Sequence, residues 1–334
     1  MRVFLHTGAG KTGTSAIQVA LAALRSELGA VGIHYPHGMG ATVGRAERGQ
    51  VSSGNAFELA MLLNANRVVG KVERSDVVEW VNTAIAEADG RDLLFSSEAM
   101  QACRPDETEA LCEMFAKAGY EVTVIFYVRH VLDMLIAGYL QFLKAGLIGN
   151  GTDPRMQDRS SFLKDQRCAY VRNLNPFARV LPQERVVVRL YDDERKDLVR
   201  NFLGLMTDAA LDVPAASQVV NRSLTAAEQV MFEYLSAHSN GRTMCRVVSE
   251  RLVTGGPPVS SVHTIGSADF AAFSERNKPV VDEVNTRFLR GRGELLLKSD
   301  KIVISDDPPH TPETVYQAFT NVLALFIPPP PQRR

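Results

Sequence analysis

A chain of 334 residues, 45% of them hydrophobic, can bury one large α/β core or two smaller ones. Its formal net charge of −1 creates no global field that would draw in nucleic acid or an anionic membrane, so any basic site has to be local. The cysteines (Cys103, Cys112, Cys168, Cys245) are scattered, with no metal-ligand pairs and no dense disulfide framework, and no apolar run reaches the ~18–20 residues of a membrane span. The first strand begins within two residues of the N-terminus and leaves no room for a signal peptide, so the expected setting is cytoplasmic.

In chain order, Val3–Leu5 reads as a short apolar strand that runs into Gly8-Ala-Gly10-Lys11-Thr12-Gly13-Thr14-Ser15, and an amphipathic helix is expected from about Thr14 to Leu28. Successive backbone N–H groups and the positive end of that helix make an anion site. Lys11 adds a full charge, and Thr12, Thr14 and Ser15 add hydroxyl donors. The spacing departs from an NTPase P-loop, which needs Gly, four residues, then Gly-Lys-Ser/Thr. Counted back from Gly10-Lys11-Thr12, the first glycine would fall on Leu5 in the strand.

Beyond the loop, buried strands are expected at Asp92–Ser96, Glu121–Val128 and Arg185–Leu190. Helices are expected over 55–66, 75–89, 106–118, 131–145, 194–206 and 225–238, the last opened by a capping box of Thr225 and Glu228. This alternation predicts a parallel sheet covered on both faces. Residues 146–165 and 253–268 read as mobile loops, and the proline-rich tail from Pro328 as disordered or polyproline II. The strand at 121–128 leads into Arg129 at the mouth of the sheet, where doubly wound folds bind ligands.

The run Gly8-x-x-Lys11-Thr12-Gly13-Thr14-Ser15 resembles the 5′-phosphosulfate loop of sulfotransferases that use 3′-phosphoadenosine 5′-phosphosulfate (PAPS). The usual form is roughly Pro-Lys-Ser/Thr-Gly-Thr-Thr/Ser; Gly10 stands here in place of the proline. The resemblance implies that Gly10, Lys11, Thr12, Gly13, Thr14 and Ser15 hold the 5′ end of PAPS and of its product 3′,5′-ADP, without a metal. It implies that Arg129 grips the 3′-phosphate. The family's second ligand there, a serine eight residues later, is replaced by Ala137, with Gly138 after it. Val187-Val-Arg-Leu-Tyr-Asp-Asp-Glu-Arg, the run from Asp197 to Leu203, Asn221-Arg-Ser-Leu-Thr and Phe273-Ser-Glu-Arg-Asn277 resemble phrases of the bacterial branch, which extends the likeness over about residues 2–290. The implied fold is the P-loop-type three-layer α/β/α sandwich with a central parallel sheet. It forms one domain over 1–325, with a core over about 1–206, a helical cover over about 207–325 and a tail from 326.

Two residues compete for the role of base, with another residue or none as the remaining alternative. By alignment Glu98, after the strand Asp92–Ser96, falls where cytosolic sulfotransferases carry a catalytic histidine; in a partly dry cleft its pKa would rise enough to work near neutrality. Other branches place a glutamate after the second strand, and His34 is the matching candidate. Asn55 is read as capping the next helix, and Lys144 and Arg292 as solvated. The expected activity is transfer of a sulfuryl group to a hydroxyl of a small-molecule, lipid or carbohydrate acceptor; a homodimer is left open. The rivals are a nucleotide-dependent kinase or NTPase, and a non-catalytic binding protein on the same fold.

Overall fold

The computed structural model describes residues 1–39, 44, 46–48, 52–64, 73–149, 158–213, 223–255, 262–307 and 310–326. Along the chain come β1 (Arg2–Gly8), α1 (Thr14–Ala23), α2 (Arg25–Ala30), β2 (Ile33–His34), α3 (Phe57–Leu63), α4 (Arg74–Ala88) and β3 (Asp92–Ser96). There follow α5 (Pro105–Lys117), β4 (Glu121–Val128), α6 (Val131–Lys144), α7 (Arg159–Asp165), α8 (Tyr170–Val180), β5 (Val186–Leu190), α9 (Tyr191–Glu194) and α10 (Leu198–Leu203). The last elements are α11 (Ala226–Ser236), α12 (Gly241–Gly255), β6 (His263–Ile265), α13 (Ser267–Glu283), β7 (Ile302–Ile304) and α14 (Pro312–Ala324). They group into two compact units. The first joins Met1–Arg129, Cys168–Val220 and Val280–Leu295; the second joins His130–Arg167, Asn221–Pro279 and Leu296–Arg334.

The first unit is built on a five-stranded sheet in the order β2-β3-β1-β4-β5, with every pair parallel. Side chains alternate across it, as the two-residue period of a strand demands. Phe4, Leu94, Ile125 and Tyr127 meet Ile17, Ala20 and Leu21 of α1, Leu28 of α2 and Phe202 of α10 in one core cluster. On the opposite face Phe95 packs against Trp80 of α4 and Phe115 of α5, with ring centroids 5.4 and 5.7 Å away. Phe126 meets Tyr170 of α8 there at 6.4 Å. Helices thus cover both faces of a central parallel sheet, as the sequence predicts. Truncating one of these buried rings, Phe202 for instance, would cost about 3–5 kcal/mol.

The long helix expected over 14–28 divides at Leu24, whose backbone N–H still donates to the Ala20 carbonyl, while the Leu28 N–H donates to that of Leu24. The helix expected over 194–206 becomes α9 and α10. The strand expected from Arg185 starts one residue later, because Gln183–Arg185 form a 3₁₀ turn. α8 escapes the sequence reading; Pro176 inside it looks like a helix breaker.

The second unit is mainly helical, with β6 and β7 paired in parallel. α11 opens with the predicted box: the Glu228 N–H donates to Thr225 Oγ1 at 3.1 Å, and Glu228 Oε2 accepts from the Thr225 N–H at 2.9 Å. Within the segment read as a loop over 146–165 lies α7, started by Asp158, whose carboxylate accepts from the Ser161 N–H at 2.7 Å. The second predicted loop contains β6, and residues 150–157, 256–261 and 327–334, including the tail from Pro328, lie outside the described residues. Asn221 and Arg222 do too. All four cysteines are free thiols. No described helix is long and apolar enough to cross a membrane.

Candidate anion loop and active site

Sheet order brings the ends of β3, β1 and β4 side by side, and each delivers one candidate group. At the centre, β1 ends at Gly8 and the chain turns through Ala9 to Gly13 into α1. The Ala9 N–H donates to the Tyr127 carbonyl at 3.2 Å, which ties the loop to β4. Thr12 Oγ1 donates to the Ala9 carbonyl at 2.6 Å and is buried inside the turn. The turn closes through two left-handed residues, Lys11 (φ 70°) and Gly13 (φ 77°). At Gly13 a glycine is required on two counts: the positive φ, and the Leu198 side chain, which would come within 2.2 Å of any Cβ. Lys11 has no such licence, and a non-glycine residue held there costs of order 1–3 kcal/mol. Arg129 Nη1, donating to the Lys11 carbonyl at 3.1 Å, helps to hold it.

α1 begins without a side-chain cap. Among the described residues, the amides of Lys11 to Ser15 find no acceptor, and the buried Thr14 hydroxyl has no partner. Such a row of orphan donors at a helix start is an arrangement that can receive an anion. The Lys11 ammonium lies at its rim, partly buried. Burial lowers its pKa, the Glu98 carboxylate raises it and the Arg129 charge lowers it again.

Glu98 stands two residues past β3, at the start of a 3₁₀ turn over Glu98–Ala102. The turn is fixed by the Ser97 N–H donating to the His6 carbonyl at 3.0 Å, and by the Ser97 hydroxyl accepting from the Ala99 N–H at 3.3 Å. Glu98 Oε1 lies 3.1 Å from where a Cβ on Gly10 would stand. A glycine at position 10 therefore has a local consequence: it leaves room for a carboxylate against the loop. Burial raises the Glu98 pKa, and the charge of Lys11 partly offsets it.

Arg129 ends β4. The Tyr170 hydroxyl accepts from its N–H at 3.0 Å and donates to its carbonyl at 2.7 Å, clamping the peptide on both sides. Its guanidinium sits over the Tyr191 ring, 5.4 Å from the centroid, and Nε lies 3.9 Å from Asp192 Oδ1 without a hydrogen bond. Neither Tyr170 nor Asp192 is flagged by sequence, because the contacts span 41 and 63 residues.

His34 is not brought to this loop. In register it pairs with Leu93 and, through β3, lies level with Val3, six residues before Ala9 along β1. At about 3.3 Å per residue that is roughly 20 Å along the strands. Its Nε2 lies 3.6 Å from Glu87 Oε2, and burial, with Arg91 next, lowers its pKa. Asn55 does not cap α3, whose N-cap is Ala56. Its amide instead donates to the carbonyls of Pro36 and Leu94 (both 3.1 Å), and its oxygen accepts from the Ser96 N–H at 2.8 Å, stitching the end of β3 to the chain after β2. Ala137 belongs to the second unit, half-buried on α6, where it offers no hydrogen-bonding group. Lys144 is in the last turn of the same helix, and Arg292 is exposed in the first unit.

Behind the loop lies a buried polar network that the sequence reading did not single out. His6 Nδ1 and Ser96 Oγ are 2.8 Å apart, and Gln18 Nε2 donates to the same hydroxyl at 3.4 Å. Gln18 Oε1 accepts from Ser52 Oγ at 3.1 Å. Complete burial pushes the His6 pKa down to about 3, so the imidazole is neutral.

No family model matches the chain, and no curated protein matches it. Two solved structures are similar to it. A crystal structure of a sulfotransferase from Alicyclobacillus acidocaldarius has a TM-score of 0.41 and 13% identity, covering 71% of this chain and 92% of that one. The sulfotransferase domain from the Synechococcus PCC 7002 olefin synthase has a TM-score of 0.34 and 13% identity, covering 82% and 93%. Likeness this distant leaves the chemistry to be argued from the residues themselves.

Proposed function

We propose that this protein transfers a sulfuryl group from PAPS to a hydroxyl of a small-molecule, lipid or carbohydrate acceptor. The observation that carries the reading is the convergence of an anion loop with Lys11, a partly buried carboxylate at Glu98 and an anchored guanidinium at Arg129 on three neighbouring strand ends. The orphan amides of Lys11 to Ser15 and the unpartnered Thr14 hydroxyl fit a phosphosulfate. When bound, PAPS would supply the sulfuryl group, its S–O bond to phosphate breaking as a bond to the acceptor oxygen forms. Lys11 neutralises the charge that develops on the leaving phosphate oxygen, and the loop amides hold that oxygen in line. Glu98 accepts the acceptor's hydroxyl proton as the new bond forms. Arg129, whose peptide Tyr170 clamps on both sides, would hold the 3′-phosphate.

Asp192 beside Arg129 favours one second reading, an anion-binding protein blind to the 3′-phosphate. Calorimetric titration of 3′,5′-ADP, 5′-ADP and ATP-Mg²⁺ separates them. The sulfotransferase reading expects 3′,5′-ADP to bind most tightly and Arg129→Ala to erase its advantage over 5′-ADP, a charge-assisted bond to phosphate being worth about 1.5–3 kcal/mol. Equal affinity for the two adenosine nucleotides in the unmodified protein would overturn it, and preference for ATP-Mg²⁺ would favour a kinase.

A further inference from the structure

We propose that an anion on the loop and the ionised carboxylate of Glu98 compete for the Lys11 ammonium, so that the loop takes up a proton together with its anion. This rests on the loop being the donor site assigned above, and adds to that assignment a control of when Glu98 can act as base. The geometry is the close approach of Glu98 Oε1 to Gly10, 3.1 Å from the position a Cβ would occupy. A carboxylate is thereby placed at the wall of a receptor whose other groups are all donors. Lys11 is the cation felt by Glu98, and Glu98 the acid felt by Lys11.

The elements packed against the Glu98 turn bring few other charges. β1 contributes His6, neutral through burial. α3 contributes Glu58, itself partly buried with a raised pKa, and α8 contributes Arg172 and Arg179, both exposed. Arg129 stands beyond Lys11 and adds positive charge on its far side. When a dianion settles against the loop amides, Lys11 turns its charge to the newcomer. Glu98 then keeps a negative charge in a partly dry place without its counter-ion and with a second negative charge beside it. Both changes favour its acid form. The carboxylate takes that proton from solvent; an acceptor hydroxyl gives up its own proton only as its oxygen bonds to the sulfuryl group. Linkage is reciprocal, so ionising Glu98 weakens anion binding by the factor that the anion strengthens protonation.

The test uses inorganic sulfate, which does not titrate in the neutral range, with the full chain. Calorimetry in buffers of different ionisation enthalpy counts protons taken up on binding. The expected result is net uptake near neutral pH and weakening sulfate affinity as pH rises. Glu98→Gln should lose most of that uptake and bind sulfate roughly tenfold more tightly at the alkaline end. Glu98→Asp, which retracts the charge by one methylene while keeping it, should fall between the two and guards against a misfolded amide variant. Uptake unchanged in Glu98→Gln would assign the proton to Lys11 and overturn the proposal, as would pH-independent sulfate binding in the unmodified protein. No sulfate binding would remove the anion loop itself, and the donor assignment with it. Equal affinity for 3′,5′-ADP and 5′-ADP, with proton-linked sulfate binding intact, would sink the PAPS reading alone.

Discussion

Glu98 just past β3 and His34 on its parallel neighbour β2 are candidates for the same proton, and the fold separates them by a strand's length. Glu98 emerges where β3 ends, beside the β1 loop, with Lys11 as its electrostatic partner. His34 lies on the short edge strand β2, level with the start of β1, and its partners are Glu87, Arg91 and Arg25. In a parallel sheet every carboxyl end opens on the same side, so position along the strand decides which groups share a site. Residue type does not. A histidine has the more convenient ordinary pKa, yet of the two only the glutamate stands beside the loop after β1.

The sharpest way to break that contrast is Glu98→Gln, expected to lower turnover by about 10²–10⁴-fold with far less effect on nucleotide affinity. The same variant has a stability signature. Burial raises the folded-state pKa of Glu98 above its unfolded value, so the folded protein holds this proton more tightly and the group's contribution falls as pH rises past the unfolded pKa. Glu98→Gln should therefore raise the unfolding temperature at neutral and alkaline pH, and the gain should vanish in acid below the ordinary carboxyl range. Scanning calorimetry across pH reads this directly; a variant less stable at pH 8 would contradict the burial argument.

Lys11→Ala should cost of order 10²–10³-fold in turnover and leave the unfolding transition nearly unchanged, because the charge acts on the transition state. Near-normal turnover would detach the loop from the chemistry. Tyr170→Phe keeps the buried ring and removes both bonds to the Arg129 peptide. It should cost about 1–3 kcal/mol in denaturant unfolding and narrow the preference for 3′,5′-ADP without abolishing it. An unchanged preference would show that Arg129 needs no such support. The smallest effect belongs to His34→Ala, expected within about 0.5 kcal/mol of the parent stability and with turnover almost untouched. An inactive His34→Ala with an active Glu98→Gln would reverse the ranking of the two.

What the sequence disclosed is what neighbouring residues encode. The loop is a strand, a turn and a helix start in fifteen contiguous residues, so its shape could be read before any fold was known. Arg129 and Glu98 were legible because each follows a clear apolar strand by one or two positions. The Tyr170 clamp and Asp192 were not, since nothing local marks a tyrosine 41 residues away as the partner of an arginine backbone. Asn55 was misread for a related reason. Its place before a helix suggests a cap, while the carbonyls of Pro36 and Leu94 that it binds come together only in the folded sheet. α7 had a signal that went unused: Asp158 with Ser161 three residues on is a helix start in a segment that glycines made look like loop.

The first unit draws its last stretch from Val280–Leu295, which includes a π-helical turn at Val284–Leu289 with Val284, Phe288 and Leu289 buried. Synthesis runs from the N-terminus, so a nascent chain that has finished all five strands by Leu190 still lacks this piece. Gly293, at the end of the stretch, comes to rest where a Cβ would lie 3.5 Å from the Leu190 side chain, beside the last strand. Until residue 295 is free of the ribosome, that flank of β5 is uncovered, and unpaired strand edges and apolar surface are what draw partly made chains into aggregates. Parallel pairing across long sequence separations is slow in any case. The glycine-rich loop, complete within the first fifteen residues, is thus set on a scaffold that closes late, and a chain cut short at about residue 206 would carry the whole loop on an unfinished body.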